Sequence, residues 1–113
     1  MFKNYLTYNQ ALSFHRSCSE LHASPQVRGR LIRSSETMIQ HFAKSIYTKD
    51  SKEESKCLFV ALQNLRDCKE TFDQNHVWTD ALKTQYEWLH ERLEALCGKA
   101  ADQAESGQLR MFG

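Results

Sequence analysis

Residues 50–73 read DSKEESKCLFVALQNLRDCKETFD, and the periodicity of this stretch decides the fold. Leu58, Ala61, Leu62, Leu65, Cys68 and Phe72 recur at offsets of three and four, which places them on one stripe of a helix. Lys56, Gln63, Asp67 and Glu70 turn elsewhere. Ser51 followed by Glu54 predicts a capping box at the helix start, the Ser51 oxygen accepting from an early backbone N–H and the Glu54 carboxylate answering it. A stripe this apolar must be buried against partners, so the rest of the chain is read as what covers it.

Upstream, Val27, Leu31, Ser34, Ser35, Met38, Phe42 and Ile46 repeat the helical spacing, and the small Ser34 and Ser35 allow a close helix approach. Ser24 is placed to cap this helix, with Pro25 at its first position, where the missing N–H is harmless. Before it, a helix from Lys3 to His22 carries Tyr5, Tyr8, Leu12, His15, Cys18 and Leu21, with Ala11 beside them. Downstream, Gln74-Asn75-His76 breaks the pattern. A fourth helix follows, capped by Thr79 with Asp80 in its first turn, aligning Leu82, Tyr86, Leu89, Leu93 and Leu96 and stopping at Gly98. Short links force consecutive helices to return antiparallel. The expected fold is therefore all-α, an antiparallel up-down four-helix bundle over residues 1–98, with residues 99–113 as a flexible tail.

Composition agrees. One Pro and four Gly in 113 residues leave no turn chemistry for many short strands, and the length suits one core. Net charge is +1, but residues 1–50 carry seven Lys or Arg against three acids, and residues 51–113 eight against eleven. Such asymmetry marks a binding face, either for phosphate or for the acidic half of a second copy. No apolar run approaches the roughly twenty residues that span a bilayer, and the N-terminus lacks a basic-then-apolar signal pattern, so a cytoplasmic protein away from membranes is expected. Cys18, Cys57, Cys68 and Cys97 are scattered, which suits buried free thiols better than a zinc ribbon or a disulfide framework.

Arg30, Arg33, Thr37, Gln40 and Lys44 share one stripe of the second helix, with Arg28 nearby, and guanidinium forks at helical spacing can engage successive phosphates. A solvated polar face gives the same pattern. His15, Cys18 and His22 can point to one side of the first helix, but no fourth ligand is indicated, so no metal is assigned there and no cofactor elsewhere. Phe14 and Trp88 lie off the apolar stripes and are candidate subunit contacts. There is no Ser or Cys on a strained turn, no Gly-rich phosphate loop and no paired-carboxylate constellation, which argues against an enzyme.

The hairpin of the second and third helices resembles the bacterial four-helix bundle family of ribosomal RNA intervening-sequence proteins, whose relatives include the accessory protein of diversity-generating retroelements. The matching residues are Leu31, Arg33, Ser34, Ser35, Met38, Phe42 and Ala43, then Glu53, Leu58, Ala61, Leu62, Leu65 and Asp67, with no gap between the two groups. Where that family shows Asn-Ile-Ala-Glu-Gly, this chain has His41-Phe42-Ala43-Lys44-Ser45, which makes the face more basic. The resemblance implies a non-enzymatic homo-oligomer, often a pentameric ring, and for the retroelement branch binding to a reverse transcriptase and its RNA. Phosphate contacts would fall to Arg28, Arg30, Arg33 and Lys44. At the end of the chain, Gln108-Leu109-Arg110-Met111-Phe112 resembles the peptide by which bacterial DNA-handling proteins dock on the replication sliding clamp. Leu109, Met111 and Phe112 would be its apolar anchors, and Gln108 would fix register. The competing expectation is a structural or protein-interaction bundle that assembles with itself and binds no nucleic acid.

Overall fold

The structure is a computed structural model that describes the backbone of residues 3–112 and the side chains of residues 3–105. It contains helices α1 (Tyr5–Ser19), α2 (Pro25–Tyr47), α3 (Ser51–Asn75) and α4 (Asp80–Phe112), with no strand among the described residues. Each helix packs on its two neighbours in the order α1, α2, α3, α4 and back to α1, while the backbones of the diagonal pairs α1–α3 and α2–α4 stay further apart. That is the square cross-section of a four-helix bundle, 54 × 30 × 20 Å overall.

Local chemistry sets the helix ends. Ser24 accepts from the Val27 N–H at 3.2 Å with Pro25 inside the first turn. Thr79 accepts from the Leu82 N–H at 3.1 Å. At α3 the cap differs from the expected box: Asp50 is the N-cap and accepts from the Lys52 N–H at 3.0 Å. A carboxylate at this position also meets the positive end of the helix dipole. Glu54 reaches instead to Lys3, tying the chain's start to α3. The helix stops where His76 turns left-handed at φ 52°, and the Val77 N–H then closes on the Phe72 carbonyl at 3.2 Å.

The core holds Phe14, Leu31, Met38, Phe42, Leu58, Leu65, Phe72, Leu89 and Leu93, all essentially solvent-free. Phe14 is the chief correction to the first helix. The buried set of α1 is Thr7, Ala11, Phe14 and Cys18, one step round from the expected stripe. Phe14 meets Phe72 edge-on at 6.2 Å between ring centroids and Tyr86 at 6.4 Å. Tyr8, by contrast, flanks the core and stacks on Phe42 at 6.3 Å.

The fourth helix is also corrected. It runs through Gly98 to Phe112 instead of stopping at residue 98. Strong helix formers on both sides, Ala95, Leu96, Lys99, Ala100 and Ala101, outweigh one glycine, whose cost against Ala is about 1 kcal/mol. Ala100 is buried, so the bundle core itself extends past the glycine. The backbone of 99–112 is thus helical where a flexible tail was expected. The side chains of Gln108, Leu109, Met111 and Phe112 lie outside the described residues.

Candidate binding surfaces

The sequence of α2 places Arg30, Arg33 and Lys44 within an arc of about 60° at roughly 100° per residue, and all three are exposed. The arc looks toward α3. Arg30 and Arg33 share a groove of about 320 Å³ with Ser34 of their own helix and with Asp67, Glu70, Thr71 and Gln74 of α3. Glu70 is engaged by the Gln74 amide, which donates to it at 3.1 Å. Lys44 bridges to Glu53 at 3.1 Å, and that bond holds its ammonium pKa above the ordinary value. Arg28 does not join the row: it is half-buried, on the edge of α2 that faces α1. The structure therefore brings Arg30 and Arg33 to one groove with Asp67 and Glu70 and pairs Lys44 separately with Glu53, an arrangement that the stripe alone did not reveal.

The outer face of α4 carries the opposite charge. Asp80, Glu87, Glu91, Glu94, Asp102 and Glu105 are all exposed and fall within an arc of about 80° on the side away from the core. Lys83, Arg92 and Lys99 lie outside that arc. Sequence reading missed this row because attention to Leu82, Tyr86, Leu89 and Leu93 stops at the apolar period, although the acids recur at the same helical spacing. Trp88 flanks the row, 37% exposed, with the Arg92 guanidinium 5.3 Å above its ring. Leu6, Tyr47 and Phe59 are the more exposed large apolar residues, at 73%, 73% and 57%. With Trp88 they give every helix at least one exposed large apolar residue.

A larger hollow, about 460 Å³, lies at the α3–α4 corner beside Lys69, Asp73, Trp78, Lys83 and Glu87. Trp78 lines it, packing on Phe72 with ring centroids 4.2 Å apart and planes tilted by 31°, and donating its indole N–H to Asp73 at 2.6 Å. Lys69 pairs with Asp73 at 2.7 Å and, together with that indole bond, holds its carboxyl below the usual range. These contacts make the corner a strut of the fold.

His15, Cys18 and His22 do not converge. Cys18 is sealed in the core, His22 lies exposed beyond the end of α1, and the His15 Nδ1–H donates to Ser35 at 2.6 Å while Ser35 donates to the Ile32 carbonyl at 3.2 Å. The pair fixes the close α1–α2 approach at Ser35. No group of three or more His, Cys, Asp or Glu suited to a metal occurs among the described residues. All four cysteines are free, three of them buried and Cys97 half-buried. Burial pushes the Cys57 and Cys97 thiols up, and a hydrogen bond from the Cys68 thiol to Cys18 together with burial raises Cys68, so these three are held in their less nucleophilic form. No helix of the described residues is long and apolar enough to cross a membrane.

With the bundle and its surfaces in place, comparison with protein families, curated proteins and solved structures finds no match to this chain.

Proposed function

We propose that this protein is a non-enzymatic, oligomeric accessory bundle of bacterial nucleic-acid metabolism, which contacts RNA or DNA phosphates through the row on α2. The supporting observation is the placement of Arg30 and Arg33: one helical turn apart, exposed, and in the half of α2 nearest its N-terminus, whose first turn carries no acid. Arg28 contributes from the neighbouring edge. Lys44, bridged to Glu53, contributes less. A protein partner, a reverse transcriptase or a sliding clamp, belongs to the same proposal, with residues 108–112 at the far end of α4 as its contact.

The test is the affinity of nucleic-acid-free protein for a structured RNA and a DNA duplex at low and near-physiological salt, beside an Arg30→Glu/Arg33→Glu variant. Each phosphate contact adds to the salt slope, so binding should weaken steeply with salt and be lost in the variant. Absence of binding at low salt would overturn the phosphate reading. For the partner, Phe112→Ala should abolish capture by a bacterial sliding clamp, and unchanged capture would remove the tail from the proposal.

A protein-only bundle is the second reading. It is favoured by the carboxylates of Glu53, Asp67 and Glu70 that already face the basic row, and by the exposed Leu6, Tyr47, Phe59 and Trp88.

A further inference from the structure

The groove between α2 and α3 holds opposite charges that stay open to a ligand. Arg30 and Arg33 line it from α2, Asp67 and Glu70 from α3, and its volume of about 320 Å³ falls in the range of small-ligand sites. All four side chains belong to exposed residues. Glu70 accepts from the Gln74 amide at 3.1 Å, but among the described residues neither guanidinium closes an ion pair, and the Asp67 carboxylate accepts no hydrogen bond. Phosphate offers acceptors only, so a groove built for phosphate alone is weakened by two carboxylates. This one presents donors on its α2 wall and acceptors on its α3 wall.

We infer that this groove reads an unpaired guanine of a single strand, with Arg30 on the O6 and N7 acceptors, Asp67 on the N1–H and N2–H donors, and Arg33 on the phosphate beside the base. The identity of the base follows from the two walls. Guanine has one edge of paired acceptors and an adjoining edge of paired donors, whereas adenine, cytosine and uracil mix the two kinds along each edge. A guanidinium fork takes the first edge with two parallel hydrogen bonds, and a carboxylate takes the second in the same way. In a duplex the N1–H and N2–H groups are already engaged by cytosine, so the guanine must be unpaired.

The division of labour between the two arginines follows from their places on α2. At roughly 100° per residue, Arg30 lies on the side toward α3 and Arg33 about 60° further out. The Arg33 guanidinium lies back along the helix, its Nη1 3.5 Å from where a Cβ on Gly29 would sit, which brings it to the level of Arg30. One fork therefore faces the α3 carboxylates across the groove, and the other stands at the rim, where the backbone of a strand passes. Asp67 and Glu70 together repel phosphate from the groove floor, which leaves the base to enter. The inference rests on the phosphate reading of α2 and adds to it which base, in which strand form, the site takes.

The experiment is fluorescence anisotropy of the full chain, free of nucleic acid, with a labelled uridine strand that carries a single guanine, inosine, 7-deazaguanine or adenine. Wild type, Asp67→Asn and Arg30→Gln are compared, with helical circular dichroism to confirm that each folds. The guanine strand should bind about 5- to 150-fold more tightly than the adenine strand, the discrimination of a good bidentate base contact. Inosine, which lacks the N2 amino group, and 7-deazaguanine, which lacks N7, should fall between them. The decisive variant is Asp67→Asn, because the two readings predict opposite signs for it. Loss of the carboxylate should weaken the guanine strand and erase the preference, whereas a site for phosphate alone should bind every strand more tightly once that negative charge is gone. Equal binding of all four strands, tightened throughout by Asp67→Asn, would overturn the inference and leave the phosphate reading standing. No binding of any strand at low salt would overturn both. A guanine preference that survives Asp67→Asn and Arg30→Gln would place the base elsewhere and overturn the site. Free guanosine monophosphate should displace the guanine strand only at much higher concentration, since it lacks the strand's further phosphates; displacement at the strand's own concentration would overturn the strand as the ligand.

Discussion

The central hairpin and the outer pair of helices solve the same packing problem differently. In α2 and α3 the buried residues recur without ambiguity, Leu31, Ser35, Met38 and Phe42 against Leu58, Ala61, Leu62, Leu65, Cys68 and Phe72, and a polar seam follows the apolar one. Lys44 with Glu53, and Arg30 and Arg33 beside Asp67 and Glu70, compose that seam. The outer helices have a weaker period. Helix α1 buries two small residues, Thr7 and Ala11, before it reaches Phe14. A hairpin that is over-determined in both its apolar and polar periods can anchor a bundle whose remaining helices are specified by a few large side chains.

Phe14 is the sharpest test of that contrast. It is the one large side chain that α1 sends fully into the core, and it touches aromatic rings of both α3 and α4. Phe14→Ala should therefore lower stability by about 3–5 kcal/mol, the cost of emptying a phenylalanine site in a packed core. Leu6→Ala, at a position 73% exposed, should stay within about 0.5 kcal/mol. Urea unfolding followed by circular dichroism reads both. Similar losses for the two would mean that α1 docks through a different face.

These positions also show how far the sequence could be read. All four helices, the Ser24 and Thr79 caps and the core of the hairpin follow from period and cap chemistry. Phe14 does not, because Tyr5, Tyr8, Leu12 and His15 form a rival stripe one step round the same helix. Periodicity cannot choose between adjacent stripes when one is lined by Thr and Ala. At the start of α3, Asp50 and Ser51 are neighbouring cap formers, and which of them takes the non-helical backbone depends on how the link from α2 enters. The basic row of α2 was legible as a stripe, but its opposing acids belong to another helix, and only the packing of α3 against α2 brings Asp67 and Glu70 to Arg30 and Arg33.

Gly98 offers a second, smaller test, because it decides where the outer pair ends. A glycine that terminates a helix in the left-handed region resists substitution, whereas one inside a helix is improved by it. Here it lies within α4, and a Cβ placed on it would meet nothing within 4 Å. Gly98→Ala should raise stability by about 0.4–1 kcal/mol, chiefly by restricting the unfolded chain, and should show as a higher urea midpoint. A lower midpoint would place a helix stop at residue 98 and leave α4 no longer than its core contacts require.

The subtlest probe concerns Tyr86, where the outer helix α4 meets the aromatic cluster at the α3–α4 corner. Its ring lies 5.6 Å from Trp78, 6.4 Å from Phe14 and 5.4 Å from His90 between centroids. Burial pushes its hydroxyl up to about 12; Cys68, Asp73 and Glu94 add to the shift and Arg66 opposes it. An unfolded tyrosine ionises near pH 10. The folded protein therefore holds this proton more tightly than the unfolded chain, and the associated stability is fully present below about pH 10 and lost as pH rises through about 12. Tyr86→Phe removes the titrating group and keeps most of the ring, so the variant should lose less stability than the wild type between those two values. Urea midpoints of both proteins measured across that interval isolate the contribution, since every other alkaline group is common to them. Parallel curves would mean that the Tyr86 hydroxyl is as well solvated as in the unfolded chain, and the α4 side of the corner would then be open to water where the α3 side, sealed by Phe72 under Trp78, is closed.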